Sequence, residues 1–315
     1  MDIFDNREAS PMLIANMEEP FDSVDYLYEI KFDGSRCLAY LDSDMVDLRD
    51  KRNKKRLPAA PELKGMNQQV KGKCILDGEL VVFVNGKADF YELQRREMMN
   101  DPFKIKLAMQ RKPISFVAYD ILYLNGVSLT DKTLLERKII LNETIIENDS
   151  LILSRAYERD GKKLFDLVKE QKLEGVVAKN KISKYYFGKR TKEWLKFKVM
   201  EDEEFVVCGY IKKANNMTSL VIGKYRGREL IYKGHVTLGV SLERLLQYKP
   251  NILDIPPLQE VPKGNEDAVW LKPELVCTVQ YMANEKNSLR QPVFKGFRAD
   301  KSPIECQIEE NDFGE

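Results

Sequence analysis

Histidine occurs once in the 315 residues, at position 235. Two-histidine metal sites are therefore excluded. A Ser-His-Asp triad could use only this residue, and no serine near it sits in a G-x-S-x-G elbow. In its local sequence His235 reads as a structural histidine on a strand. Long apolar runs are also missing. None approaches the roughly 18 residues needed to span a bilayer, so no membrane association is expected. The five cysteines (37, 74, 208, 277, 306) are odd in number and contain no C-x-x-C pair. That argues against a zinc ribbon and against a disulfide framework. The start, Met1-Asp2-Ile3-Phe4-Asp5, lacks the basic and apolar regions of a signal peptide, so a cytoplasmic location is expected.

What is present is a balanced soluble composition: 51 basic and 50 acidic residues, with 43% apolar and 32% charged. Such a chain has ample material for a core, and its length suits two domains of ~100–200 residues each. The charge is unevenly spread. Residues 1–30 hold eight acids and one base, whereas 49–56 (RDKRNKKR) hold six bases and one acid. Residues 181–200 hold seven bases against Glu193, and the tail from Glu305 holds five acids. Local basic segments in a neutral whole suit a polyanion held along one surface, although each run alone also reads as a solvated face.

The first 200 residues read as mixed α/β. Strands are predicted at Leu27–Ile30, Cys37–Leu41, Ile75–Val84, Ile114–Leu124 and Gly175–Ala178. Helices are predicted at Phe90–Met99, after a capping box at Thr133-Leu-Leu-Glu136, and along the stripe Leu164, Leu167, Val168. The composition shifts at Glu201-Asp202-Glu203-Glu204. Beyond it come the short strands Phe205–Ile211, Ser219–Lys224, Glu229–Val236 and Glu274–Met282, and one helix, Leu242–Gln247, with Ser241 as N-cap. That pattern predicts a small barrel of the OB kind. The expected fold is α+β, with a mixed α/β domain over 1–200 and an OB barrel with an acidic tail over 201–315.

Four local patterns could carry chemistry. In Glu29-Ile-Lys31-Phe-Asp33-Gly34-Ser-Arg36 a lysine ends a strand before a tight turn. Such a lysine can project into a cleft as a nucleophile, and Arg36 can return to the same cleft to hold a phosphate or ribose. Asp77-Gly78-Glu79 and Glu174-Gly-Val-Val-Ala-Lys179 each set a carboxylate beside an apolar strand, and two such glutamates can share Mg²⁺. In Trp194-Leu-Lys196-Phe-Lys198, a strand puts Trp194 and both lysines on one face. Each pattern alone also fits an edge strand with exposed charges.

Taken in order, these motifs, Phe116-Val-Ala-Tyr-Asp-Ile-Leu-Tyr-Leu-Asn-Gly126 and the late Arg290–Lys301 stretch form a set. The set resembles the covalent nucleotidyltransferases, specifically the ATP-dependent DNA ligases, from about Pro11 to Glu305. Pro11–Ala15, Glu29–Arg36 and Arg298–Glu305 look most like the ligase domain of bacterial ligase D. Two departures stand out: Lys51 and Lys54 flank Arg52-Asn53 where the family usually has Ser and often Gly, and Tyr119 stands where Phe is common.

The resemblance implies an adenylation domain followed by an OB-fold domain, and it implies roles. Lys31 attacks the ATP α-phosphate and carries AMP. Glu29 and Tyr119 hold adenine, Tyr119 by stacking. Arg36, Arg52 and Glu79 approach ribose or phosphates. Glu79 and Glu174 ligate Mg²⁺ or Mn²⁺. Lys179, Arg190, Lys196 and Lys198 neutralise phosphate. Arg298, Asp300 and Lys301 orient pyrophosphate. The expected partner of this monomer is nicked duplex DNA, in repair or end joining. With only 30 residues before Lys31, no DNA-encircling domain is expected, and a Ku-like DNA-end binder is the expected protein partner. Two other readings share features of the sequence: an RNA ligase or GTP-using capping guanylyltransferase, and a non-catalytic nucleic-acid binding module.

Overall fold

The computed structural model describes residues 2–215, 217–282 and 288–308. Most of the expected acidic tail, residues 309–315, lies outside them. The chain divides into two compact units, Met1–Lys198 and Val199–Glu315.

The first unit is built on two sheets. One orders Leu13–Met17, Arg190–Lys198, Gly175–Asn180, Ser23–Lys31 and Ala156–Arg159. The other runs Met45–Asp50, Ser35–Asp42, Cys74–Val84, Ile114–Leu124 and Val127–Ser128. Strand alternation gives the second sheet two apolar faces. Leu38, Tyr40, Ile75 and Leu122 pack with Met12, Leu27, Tyr185 and Trp194 in a core between the sheets. Cys37, Ala39, Leu41, Leu76 and Phe116 face the other way, onto Leu63, Met66, Leu93 and Leu141. The predicted strands are present, and several extend further than their apolar runs.

The helix after Thr133 spans Leu134–Thr144 and opens on the expected capping box. Its inward face carries Arg137 and Lys138 beside Leu134 and Leu141. Arg137 Nε and Nη2 each donate at 2.8 Å to Asp120, both side chains are fully buried, and Nη1 donates to the Lys132 and Ser183 carbonyls. Removing one partner strands a charge in the core. Arg137→Ala is therefore expected to lower stability by about 3–5 kcal/mol. Urea unfolding would measure it, and a loss below about 1 kcal/mol would refute the account.

The helix expected from Leu164, Leu167 and Val168 spans Gly161–Glu170, but only Leu164 and Val168 are buried while Leu167 stays exposed. A helix over Pro102–Arg111 has no expected counterpart. Asp101 caps it with Pro102 in the first turn, and Ile105 is its only buried residue, so it shows no apolar stripe.

In the second unit, Glu201–Lys212 pairs antiparallel with Thr218–Arg226, Val269–Leu271 and Val276–Met282. Thr218–Arg226 pairs on with Glu229–Val236, and Val276–Met282 with Arg290–Arg298. The sheet curls on itself: Phe294 N–H donates to the Leu238 carbonyl at 2.8 Å, joining the segment after one end strand to the other. This is the small barrel expected from the spacing, with Leu242–Leu246 as its helix under the Ser241 cap. The four acids at 201–204 begin its first strand, with Glu201 and Asp202 exposed and Glu203 and Glu204 half-buried. Glu203 pairs with Lys224, and Glu204 with Arg298 and Lys301. His235 lies on a strand between Tyr232 Oη and Asn265 Oδ1, at 3.0 and 2.8 Å. All five cysteines are buried and free. No helix among the described residues is long and apolar enough to cross a membrane.

Candidate active site

The Lys31–Arg36 turn is where the chain crosses from one sheet of the first unit to the other. Lys31 is the last residue of Ser23–Lys31, and Ser35–Asp42 opens with Ser35-Arg36. Gly34 makes the crossing tight enough: a Cβ there would lie 2.3 Å from the Leu80 carbonyl oxygen and 2.7 Å from Glu79 Cγ. The crossing leaves a cavity of about 190 Å³ lined by Lys31, Glu29, Arg36, Glu79, Tyr119 and Lys179, with Ile14, Ile30, Phe32, Val177 and Trp194. Six residues singled out in the sequence thus meet in one place from five strands.

Lys31 Nζ donates to Glu174 Oε2 at 2.7 Å. Glu174 is brought there by strand register, because the next residue, Gly175, pairs with Lys31 on one side and Lys198 on the other. Gly175 has φ +156°, and a Cβ would sit 2.0 Å from the Phe197 carbonyl oxygen, so only glycine fits. Lys198 Nζ lies 3.8 Å from the other Glu174 oxygen. Burial lowers the Lys196 ammonium below its usual range. Lys31 and Arg190 push the same way and Glu174 opposes, so these four charges share one field. Arg190 also donates to the Ile14 carbonyl at 2.6 Å.

Arg36 is held rigidly. Nε and Nη2 grip Asp77 at 3.1 and 2.6 Å, and Nη1 donates to the Met12 carbonyl at 2.5 Å. Asp77 is fully buried and also accepts from Tyr185 Oη at 2.7 Å. Burial would depress the guanidinium, but Asp77, with Tyr119 and Tyr185, more than reverses this. Burial pushes the Glu79 carboxyl up to about 8; Lys31 and Arg36 oppose, and Glu174 and Asp77 add to the rise.

The inner wall is aromatic and cationic. Tyr119 and Trp194 meet edge to face, with ring centroids 6.3 Å apart. Lys179 Nζ lies 4.4 Å from both centroids. Burial brings its ammonium down to about 8, against the pull of Glu29. The Glu29 carboxylate is already engaged: Oε1 lies 2.5 Å from Lys138 Nζ and 3.0 Å from Lys179 Nζ, and Oε2 accepts from Ser154 at 2.7 Å. Burial pushes its carboxyl upward, yet the two lysines more than offset this. Lys138 was not singled out in the sequence. The signal was there, in a lysine occupying a core-facing helix position.

Two expected groups stand elsewhere. Arg52 is exposed on the turn after Met45–Asp50, with its backbone N–H on Asp50 Oδ1 at 2.8 Å, and does not line the cavity. Arg298, Asp300 and Lys301 belong to the second unit. Asp300 grips Arg298 Nε and Nη2 at 2.8 and 2.7 Å.

As a metal site, the structure offers Glu79 in the cavity lining and Glu174 beside Lys31, and a bound cation would favour the ionised form of Glu79 that burial disfavours. Among the described residues no group of three or more His, Cys, Asp or Glu converges. The pair fits a hard cation that draws its remaining ligands from water and phosphate, as Mg²⁺ and Mn²⁺ do.

Comparison with known proteins adds the following. Residues 11–198 match the family described as ATP dependent DNA ligase domain, and 213–301 match the ATP dependent DNA ligase C terminal region. The chain is 27% identical over 292 residues to the SPbeta prophage-derived DNA ligase-like protein LigB of Bacillus subtilis, covering 92% of this chain and 98% of that protein. It is 28% identical over 293 residues to the multifunctional non-homologous end joining protein LigD of Mycolicibacterium smegmatis, covering 89% of this chain and 37% of that longer protein. Among solved structures, mycobacterial DNA ligase D complexed with ATP and MES has TM-score 0.54 at 27% identity, covering 96% of this chain and 99% of that one.

Proposed function

Because the chain belongs to the ATP-dependent DNA ligase family, we propose that Lys31 is its adenylated nucleophile and that it seals nicks in duplex DNA. The carrying observation is the Lys31 amine in the lining of a cavity walled by Tyr119 and Trp194, 2.7 Å from a carboxylate and close in charge to Lys196 and Arg190. Glu174 is the base within reach of the Lys31 proton. The Lys31 nitrogen forms a bond to the α-phosphorus of ATP, the bond from that phosphorus to the bridging oxygen breaks, and pyrophosphate leaves. AMP then passes to a 5′-phosphate at the nick, and the 3′-hydroxyl displaces it. Such transfers depend on positioning and charge neutralisation.

Tyr119 stacks the adenine, with Lys179 and Glu29 beside it. Arg36 faces ribose or phosphate, and Lys196, Lys198 and Arg190 take phosphate charge. Glu79 and Glu174 would hold Mg²⁺ or Mn²⁺, which when bound offsets charge on phosphate oxygens. Arg298, Asp300 and Lys301 orient the departing pyrophosphate, while exposed Arg52 is free to meet a DNA phosphate. Duplex binding runs through phosphates and is therefore salt-sensitive and independent of sequence. The pathway is end joining or nick repair, with a Ku-like end binder as partner.

The test is incubation with α-labelled ATP or GTP plus Mg²⁺, followed by nicked DNA. ATP, not GTP, is expected to label the protein, and nicked DNA to discharge the label into a sealed strand. Labelling by GTP would favour a capping guanylyltransferase, sealing only of RNA an RNA ligase, and absence of any adduct a non-catalytic binding module.

A further inference from the structure

In the second unit, Glu204 meets two cations at once. Its Oε1 accepts from Arg298 Nη1 at 3.0 Å and its Oε2 from Lys301 Nζ at 2.9 Å. The reach follows from sheet register. Glu204 pairs with Thr278, Thr278 with Gly296, and Arg298 lies two residues further along that strand. The side chain therefore spans an intervening strand to meet Arg298, while Lys301 comes back from the turn beyond. That turn is shaped by Pro303 and Glu305, whose carboxylate accepts from the Ser302 N–H at 2.6 Å. The neighbouring acid cannot substitute, because Glu203 points to the opposite face, onto Lys224 and Tyr281.

Charge makes the arrangement informative. Arg298 and Lys301 carry two positive charges, and Asp300 and Glu204 return two negative ones. A patch meant only to attract a polyanion would leave its cations unneutralised. Two carboxylates spent on two cations weaken attraction and fix geometry. Asp300 orients the guanidinium plane, and Glu204 sets the separation between that guanidinium and the ammonium.

We propose that Glu204 is a positioning residue for pyrophosphate departure, holding Arg298 and Lys301 at the spacing the leaving group needs. This rests on the reading above that those two residues act on pyrophosphate. Glu204→Gln keeps the shape and loses the charge. It is expected to slow formation of the lysine–AMP adduct at saturating ATP by roughly ten- to hundredfold, the scale of losing hydrogen bonds to charged groups. Sealing of a nick already carrying a 5′-adenylate involves no pyrophosphate and should stay within about twofold of wild type. Arg298→Ala and Lys301→Ala run in parallel, and each should also block adduct formation while sparing the pre-adenylated nick. Equal losses on both substrates for Glu204→Gln would show a merely structural role, and no loss on either would show that the contact positions nothing; both overturn the proposal. If Arg298→Ala and Lys301→Ala themselves lose both activities equally, the pyrophosphate reading fails instead, and Glu204 falls with it.

Discussion

Lys31→Arg protein mixed with ATP and Mg²⁺ is expected to carry no AMP, with ligation reduced on the order of 10⁶-fold, the scale at which deleting an enzyme nucleophile acts. The substitution is chosen for what it leaves in place. A guanidinium keeps the positive charge beside Glu174, so the ion pair and the fold survive. It cannot be deprotonated at working pH, so no lone pair reaches the α-phosphorus. Lys31→Ala adds a second arm. On a nick already carrying a 5′-adenylate only the 3′-hydroxyl must react, so Lys31→Ala should retain sealing there while failing on an ordinary nick. Intact-mass and peptide mass spectrometry would check the first arm; AMP located on another lysine would overturn the assignment.

Glu174→Ala should behave differently, losing activity by about 10²–10⁴-fold on both ordinary and pre-adenylated nicks. Glu174 contacts Lys31 and approaches Lys198, and with Glu79 it is the proposed carboxylate pair for the metal. Its removal therefore takes away the partner of the nucleophile and half of the metal site together. Metal chelation should reproduce the defect on both substrates, with Mg²⁺ or Mn²⁺ restoring wild type but not the variant. Side-by-side rates on the two nicks decide the matter. Full activity in chelator, or a Glu174→Ala defect confined to adduct formation, would remove the metal role and leave Glu174 as an adduct-step residue only.

The parts of this site that were legible in the sequence are those whose geometry is local. Lys31 through Arg36 spans six residues, and a strand end, an Asp-Gly turn and a strand start suffice to aim both side chains. Glu174 follows because it stands at the edge of the apolar strand Gly175–Ala178. Lys138 shows the opposite case. Its helix reads correctly from the capping box, yet nothing in the helix says that its inward lysine meets Glu29, more than a hundred residues earlier. Likewise nothing local in the sequence joins Glu203 and Glu204 to Lys224, Arg298 and Lys301, which the barrel brings to them. Pro102–Arg111 escaped because a helix burying one side chain leaves no periodic trace. Charge pairing across sheets is set by register, and register is a property of the finished fold.

The crossing turn between the two sheets also fixes when this site can exist. Lys31 meets Glu174 across 143 positions, Arg36 meets Tyr185 across 149, and Ser154 meets Glu29 across 125. None of these contacts is available to a chain that has formed only its hairpins, and pairings of such separation close late and slowly. Nucleotide is therefore a ligand for the completed first unit and for nothing before it. Bound ATP draws the folding equilibrium toward that finished state. On the proposed role of Lys31, AMP on that residue would mark a first unit that has finished folding.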